Sequence, residues 1–403
     1  MTIEDIALQM TKGLGPKGVA HLLQHFDDAR AIFAATADTL TGIAQLRPDL
    51  ADRIVRRQGF GDAERELAFC RRHAIRPVAS TDPEYPELLH EIPDYPHVIY
   101  TQGNLSALSR RCLSIVGTRS MTSYGQAQCT RLIGELAERI PDLCIVSGLE
   151  FGINSAVHHT ALSAHVPSIA VLPAPLPKIV PAQLTNLARE IVEKGGLLLT
   201  EASSRPPRSP GYSARNRLIA GMSMGCVVIE APEDSGTLSI ANFANDYDRL
   251  TMAVPGRTTD EHSRGTNRLI HDGKARLVEK AEDILLDFVD LFPARLSGLA
   301  PLPPSVVEAR LDKPREAPKK EPARPASPKR ELIPANQQKT RFTDDELAVL
   351  AAAAGSPLTA DEIVERTQIP ARRVLSALTM LQVQGVLEEQ QGRRFYSLVE
   401  LES

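Results

Sequence analysis

The chain has 403 residues, of which 42% are apolar and 24% charged, with a formal net charge of −4. That is more than one ordinary core accommodates, so two to four domains are expected of a soluble globular chain with this composition. The acidic balance excludes a wholesale polycation, and any nucleic-acid partner must be met by cations gathered locally.

The first residues, Met1 to Gly15, carry acids where a secretory signal is basic. No apolar run reaches membrane-spanning length, so a cytoplasmic protein without membrane contact is expected. Residues 1–76 read as short helices, from the spacing of Ile6 and Met10 and then of Val19, Leu22, Leu23 and Phe26. The turn Gly13 to Gly18 between them has two readings. It opens a helix towards a phosphate, as in helix-hairpin-helix and sterile-alpha-motif-like modules, or it only connects two helices. From about Pro77 the period changes. Cys112–Val116, Leu143–Val146, Ser168–Leu172, Leu197–Thr200, Cys226–Ile229 and Leu250–Val254 are short apolar runs, with helical stretches such as Gln126 to Ile140 between them. This predicts a doubly wound α/β domain over residues 77–291, a mostly parallel, Rossmann-like sheet covered on both faces. The 10 prolines from Pro293 to Pro334, with Lys319, Lys320, Lys329 and Arg330, predict a basic extended tether over residues 292–340. Residues 341–403 predict a small winged helix. Helices run from Asp344 to Ala354, from Thr359, and from Ala371 to Gln384, and a hairpin follows around Gln390-Gln391-Gly392. Cys70, Cys112, Cys129, Cys144 and Cys226 are scattered without paired spacing, which fits reduced thiols and not a zinc site.

Ligands of such a sheet sit at the carboxyl ends of the strands, where four loops gather glycine, hydroxyls and arginine. Gly117-Thr118-Arg119-Ser120 follows one apolar strand and offers close backbone approach, a hydroxyl donor and a guanidinium fork. Ser147-Gly148 and Gly152 frame the start of the helix carrying His158 and His159, an arrangement suited to an anion nest. Its spacing matches neither a dinucleotide fingerprint nor a Walker A loop, so no cofactor is expected. Arg215-Asn216-Arg217 follows the turn-rich run Ser209 to Ala214; it is either a polyanion contact or a surface ion-pair cluster. Ser235-Gly236-Thr237 opens another helix after a strand, and Pro255-Gly256 through Asn267 adds a further glycine-rich exit. Their convergence on one edge is more informative than any single loop. Trp is absent, so base stacking falls to Tyr, Phe, His or Arg.

These loops resemble the DNA-processing protein A family (DprA, also called Smf). The resemblance runs through Tyr85-Pro86, Leu88-Leu89, Ile92-Pro93-Asp94, Pro96, Tyr100 and Gly103-Asn104 to Ile115 through Arg119, Ser123-Tyr124-Gly125 and Val146 through Leu149. It continues with Gly152-Ile153, His158, Ala161-Leu162, Arg215-Asn216-Arg217, Ile219-Ala220-Gly221, Glu230-Ala231, Ser235 through Leu238, Val254-Pro255-Gly256 and Gly265-Thr266-Asn267. The resemblance implies a cytoplasmic homodimer that binds single-stranded DNA, protects incoming strands and loads RecA in natural transformation. Two departures stand out. Glu150 and Asn154 replace the family's usual alanine and aspartate, and the segment from Pro173 to Ala182 replaces a glycine-rich stretch that ends in Tyr-Pro and a cation. Both are expected to weaken phosphate attraction, with Lys178 as the cation that compensates.

Two rival readings follow from the same residues. A nucleotide phosphoribohydrolase of the lysine-decarboxylase-like (LOG) type shares the sheet and the Gly-Thr loop, but needs a glutamate three residues after the threonine. Ile240 stands there, so a general acid or base has no owner and no catalytic residue is expected. A duplex-binding regulator would use the winged helix. Its third helix offers Arg372 and Arg373, but the wing carries Glu388 and Glu389, a poor match to a duplex.

Overall fold

The computed structural model describes residues 1–204, 211–291, 331–355, 357–390 and 394–402. They form two compact units, one within residues 1–306 and the other within residues 307–403.

In the first unit the apolar runs become strands: β1 (Arg76–Ala79), β2 (Val98–Gly103), β3 (Arg111–Val116), β4 (Leu143–Gly148), β5 (Ser168–Val171), β6 (Leu197–Thr200), β7 (Gly225–Val228), β8 (Leu250–Ala253) and β9 (Arg276–Leu277). Among the described residues they make one sheet in the order β1-β2-β6-β5-β4-β3-β7-β8-β9. The strands from β3 to β9 are parallel. Alternation along them feeds two cores. Cys112, Val116, Cys144, Val146, Cys226 and Val228 face one layer of helices, and Leu113, Ile115, Leu143, Ile145 and Val227 face the other. Within the parallel part of the sheet the chain starts at β3, winds out to β6, then returns to β7 on the other side. The loops after β3 and β7 therefore part at the switch point, where doubly wound sheets hold ligands.

β1 and β2 extend the sheet in the antiparallel sense, β2 pairing β6. Pro77 interrupts the apolar pattern of β1, which hid this edge in the sequence. The N-terminal helices, from Ile3–Gln9 to Phe60–Arg72, share a core of Ile6, Leu22, Ile32, Leu40 and Ile54. They do not stand apart from the sheet. His97 Nε2 lies 3.1 Å from Asp5 Oδ1 and its Nδ1 lies 2.8 Å from Ser80 Oγ, all buried. Gln9 also donates to the carbonyls of Val98 and Glu201.

In the second unit, helices Asp344–Ala353, Ala360–Thr367 and Ala371–Val383 precede the antiparallel strands Leu387–Gln390 and Arg394–Ser397, a winged helix. Thr343 and Thr359 start two of the helices with reciprocal caps to Glu346 and Glu362. Its start differs from the expected position 341. Glu331–Ile333 is a strand paired with Val399–Leu401, and Ala335–Arg341 is a helix. Ile333 is buried with Phe342 and Val399, a contact that the surrounding prolines disguised as tether. The remainder of that tether, residues 292–330, lies outside the described residues, as do Ser209, Pro210 and the wing residues Gln391 and Gly392.

Candidate nucleic-acid interface

At the switch point a cleft of about 330 Å³ is lined by residues after β3 (Gly117, Thr118, Arg119), after β4 (Glu150, Asn154) and after β7 (Pro232, Ser235, Gly236, Thr237, Ile240), with Tyr212, Arg215 and Asn216 from the helix Gly211–Gly221. Its walls are tied together by their own polar groups. Thr237 Oγ1 donates to the Gly117 carbonyl at 2.9 Å, and the Thr118 N–H donates to the Glu230 carbonyl at 2.7 Å. Asn154 accepts from the Gly117 N–H at 3.2 Å and donates to Glu150 Oε2 at 2.7 Å. Asn216 donates to Ser239 Oγ at 2.7 Å.

The three charged groups of the lining do not contribute equally. Arg215 is 4% exposed and forks onto Glu150, Nη1 to Oε2 at 2.9 Å and Nη2 to Oε1 at 2.5 Å. Burial pushes the Glu150 carboxyl up, but the Arg215 charge and the bonds from Arg215 and Asn154 outweigh it and hold it below the usual value. Arg119 is 66% exposed and reaches Glu150 only at 3.8 Å. Two guanidinium groups against one carboxylate leave the lining with a single net positive charge, and its exposed carrier is Arg119. The guanidinium of Arg119 lies 5.1 Å and that of Arg215 5.4 Å from the centre of the Tyr212 ring, which is itself 42% exposed. The two guanidinium groups hold the ring in the cleft lining by cation–π contact.

Several predicted site residues support this cleft from behind instead of lining it. Ser147 is buried and donates to the Ile115 carbonyl at 2.7 Å. At Gly148 a Cβ would stand 1.8 Å from Arg215 Nη1, so this glycine makes room for the Arg215–Glu150 pair. Gly152 has φ +80°, and a Cβ there would stand 2.3 Å from the Thr118 carbonyl oxygen. That approach lets the Ile153 N–H donate to Thr118 at 3.0 Å. The expected anion nest therefore spends this helix-start donor on the loop after β3. Ser120 is exposed beside the cleft, its N–H donating to Thr118 Oγ1 at 3.2 Å.

Three residues fall outside the cleft. Arg217 faces the other way, pairing with Glu201 and lying 3.4 Å from Asp94. The 3.6-residue helical turn puts it roughly 200° from Arg215, which the adjacent sequence conceals. Asn267 pins Gly256 through two bonds, at 3.0 and 3.1 Å. Lys178 is exposed but not part of the cleft lining. His158 is fully buried between Ser168 Oγ and the Gly148 carbonyl, and burial pushes its imidazole down to about 4, while His159 is exposed. Tyr212 was not among the expected site residues. Its position three residues before Arg215 on one helix, which places the two on one face, is the signal that finds it. On the winged helix, Arg373 forks onto Asp345 at 2.7 Å, so one of the two cations of its third helix is neutralised. No described helix is long and apolar enough to cross a membrane.

Residues 76–289 match the family described as DNA recombination-mediator protein A, and residues 317–393 match the DprA winged helix domain. Protein Smf of Synechocystis sp. is 30% identical over 401 residues, 97% of each chain. DNA processing protein DprA of Bacillus subtilis is 33% identical over 228 residues, 56% of this chain and 76% of the relative. The X-ray structure of DNA processing protein A from Streptococcus pneumoniae superposes with a TM-score of 0.61 at 28% identity, over 71% of this chain and 98% of that one. The chain belongs to the DNA recombination-mediator protein A family.

Proposed function

We propose that the cleft at the switch point holds single-stranded DNA without cutting it. The observation that carries this reading is the pairing of one exposed cation with one exposed ring, Arg119 and Tyr212, over loops of glycine and hydroxyl groups. A guanidinium meets a phosphate, and a tyrosine face meets an unpaired base; a duplex would keep its bases out of reach. Family membership further supports a role in which the protein protects incoming strands, passes them to RecA and acts as a homodimer. A hydrolytic role is disfavoured by the cleft chemistry. Glu150 is committed to Arg215, and Ile240 lines the cleft where the phosphoribohydrolase reading needs a carboxylate.

The test is a salt-titrated gel shift with single- and double-stranded oligonucleotides of one sequence. Preference for the single strand, weakening as salt rises, is expected; equal binding of the duplex would overturn the reading. Release of a free base from a nucleoside monophosphate would establish the enzyme instead. Light scattering of the full chain, and capture of RecA on a strand coated with it, test the assembly and the hand-over separately.

A further inference from the structure

The turn from Met10 to Gly15, whose sequence allows two readings, joins the helices Ile3–Gln9 and Pro16–Leu23. Two arginines close on it: Arg47, which caps the helix Pro48–Val55, and Arg53 within that helix. Gly13 has φ +89°, and a Cβ there would lie 3.8 Å from Arg53 Nη1 and 3.9 Å from Arg47 Nη2. Glycine takes this conformation without strain and leaves exposed backbone beside two guanidinium groups. Arg53 Nη1 donates to the Lys12 carbonyl at 2.8 Å, which fixes the turn to the helix, while Lys12 itself is exposed. Asp49 lies 3.6 Å from Arg47 and 3.8 Å from Arg53, too far to hydrogen-bond either. Three cations against one carboxylate leave this patch two net positive charges, where the cleft lining has one, on a chain of net charge −4. The Arg47 side chain is 68% exposed, so its donors face solvent.

Lys17 carries the patch towards the cleft. It borders a cavity that Ala214 also lines. Ala214 belongs to the helix Gly211–Gly221, whose Tyr212 and Arg215 line the cleft. The acids on that cavity, Asp94 and Glu201, both pair with Arg217.

We propose that the patch of Lys12, Arg47 and Arg53 holds the phosphate backbone of a strand running out of the cleft. Guanidinium groups fork onto phosphate oxygens and a lysine adds a point charge, and neither reads a base. The patch therefore takes any sequence and lengthens the contact made in the cleft. Its two charges act at contact range under physiological screening, so they prolong the bound state and do little for encounter. The choice of a DNA strand among polyanions rests on the proposed single-strand function.

Fluorescence anisotropy of the full chain with oligo-dT of increasing length, at several salt concentrations, tests the patch. Lys12→Glu combined with Arg47→Glu reverses two exposed cations and leaves the Arg53 bond to the Lys12 carbonyl in place; an unchanged urea midpoint verifies its fold. Arg189→Glu, on the exposed side of the helix Thr185–Glu193, is the control for charge alone. Wild-type affinity is expected to rise with length once a strand outgrows the cleft. The double variant is expected to match the wild type on short strands, to bind long ones tenfold or more weakly, and to lose roughly 0.7 of salt slope per contact. Arg189→Glu is expected to follow the wild type throughout. A double variant that follows the wild type at every length, or loses affinity equally at every length, overturns the patch. So does an equal loss in Arg189→Glu, or absence of binding to any nucleic acid. Capture of the wild type, but not the double variant, on phosphatidylserine vesicles with strand binding unchanged assigns the patch to a lipid surface and overturns the proposal. The cleft reading fails separately, by equal binding of duplex and strand. The patch stands in that case if the double variant weakens binding of both long forms.

Discussion

At the residue scale the cleft depends on how three charged side chains divide their work. Arg119 is two-thirds exposed, so its truncation removes a ligand contact and little else. Arg119→Ala is expected to weaken oligo-dT binding about tenfold with an unchanged urea midpoint, as loss of one charge-assisted contact requires. Fluorescence anisotropy beside a urea titration checks both halves. Glu150 is the opposite case. Glu150→Gln leaves the buried Arg215 without its counter-charge and is expected to destabilise the fold by about 3 kcal/mol. It also raises the net charge of the lining by one, so strand affinity increases and its salt dependence steepens, which a salt-titrated anisotropy series checks. The residue types of this cleft were legible in the sequence, since Gly117, Thr118, Arg119, Ser235, Gly236 and Thr237 all line it. The pairing was not. Arg215 meets Glu150 across 65 positions and Arg217 meets Glu201 across 16, and no local pattern states which guanidinium a carboxylate will choose.

At the scale of elements, the loops after β3 and β4 behave as one piece. Gly152 lets the helix Ile153–Ser163 start against the Thr118 carbonyl, in a conformation with φ +80° that only glycine adopts without strain. Gly152→Ala is therefore expected to cost about 3 kcal/mol or more, since backbone strain and a steric clash add. Strand binding is expected to weaken with it, because the displaced loop carries Arg119; urea unfolding and anisotropy on the same variant check this. The six central strands were legible because burial on both faces leaves an unbroken apolar run. The outer ones were not. β1 carries Pro77, and β9 has only Arg276 and Leu277, both exposed. Edge strands bury less, so their sequences carry less of the pattern.

At the scale of the whole molecule, the first unit joins helices, sheet and cleft through buried polar groups whose charge state matters. His158 is held neutral, its pKa pushed from 6.5 down to about 4 chiefly by burial. The folded value lies below the unfolded one, so the stabilisation is fully present above about pH 6.5 and is lost as pH falls through about 4. The contribution is on the order of 3 kcal/mol. Replacing the imidazole in His158→Gln is expected to flatten that part of the stability profile, as urea midpoints taken between pH 7 and pH 4 would show. Docking of the N-terminal helices through Asp5, His97 and Ser80 was hidden in the sequence, where these residues look like unrelated polar positions. The neutralised Arg215 has a kinetic consequence. A cleft whose lining carries one net positive charge exerts a weak long-range pull, so encounter with a strand is expected to run close to the rate of an uncharged pair and to change little with salt. Differences between strands, and between variants other than those that change the charge of the cleft, then appear in how long the bound strand stays.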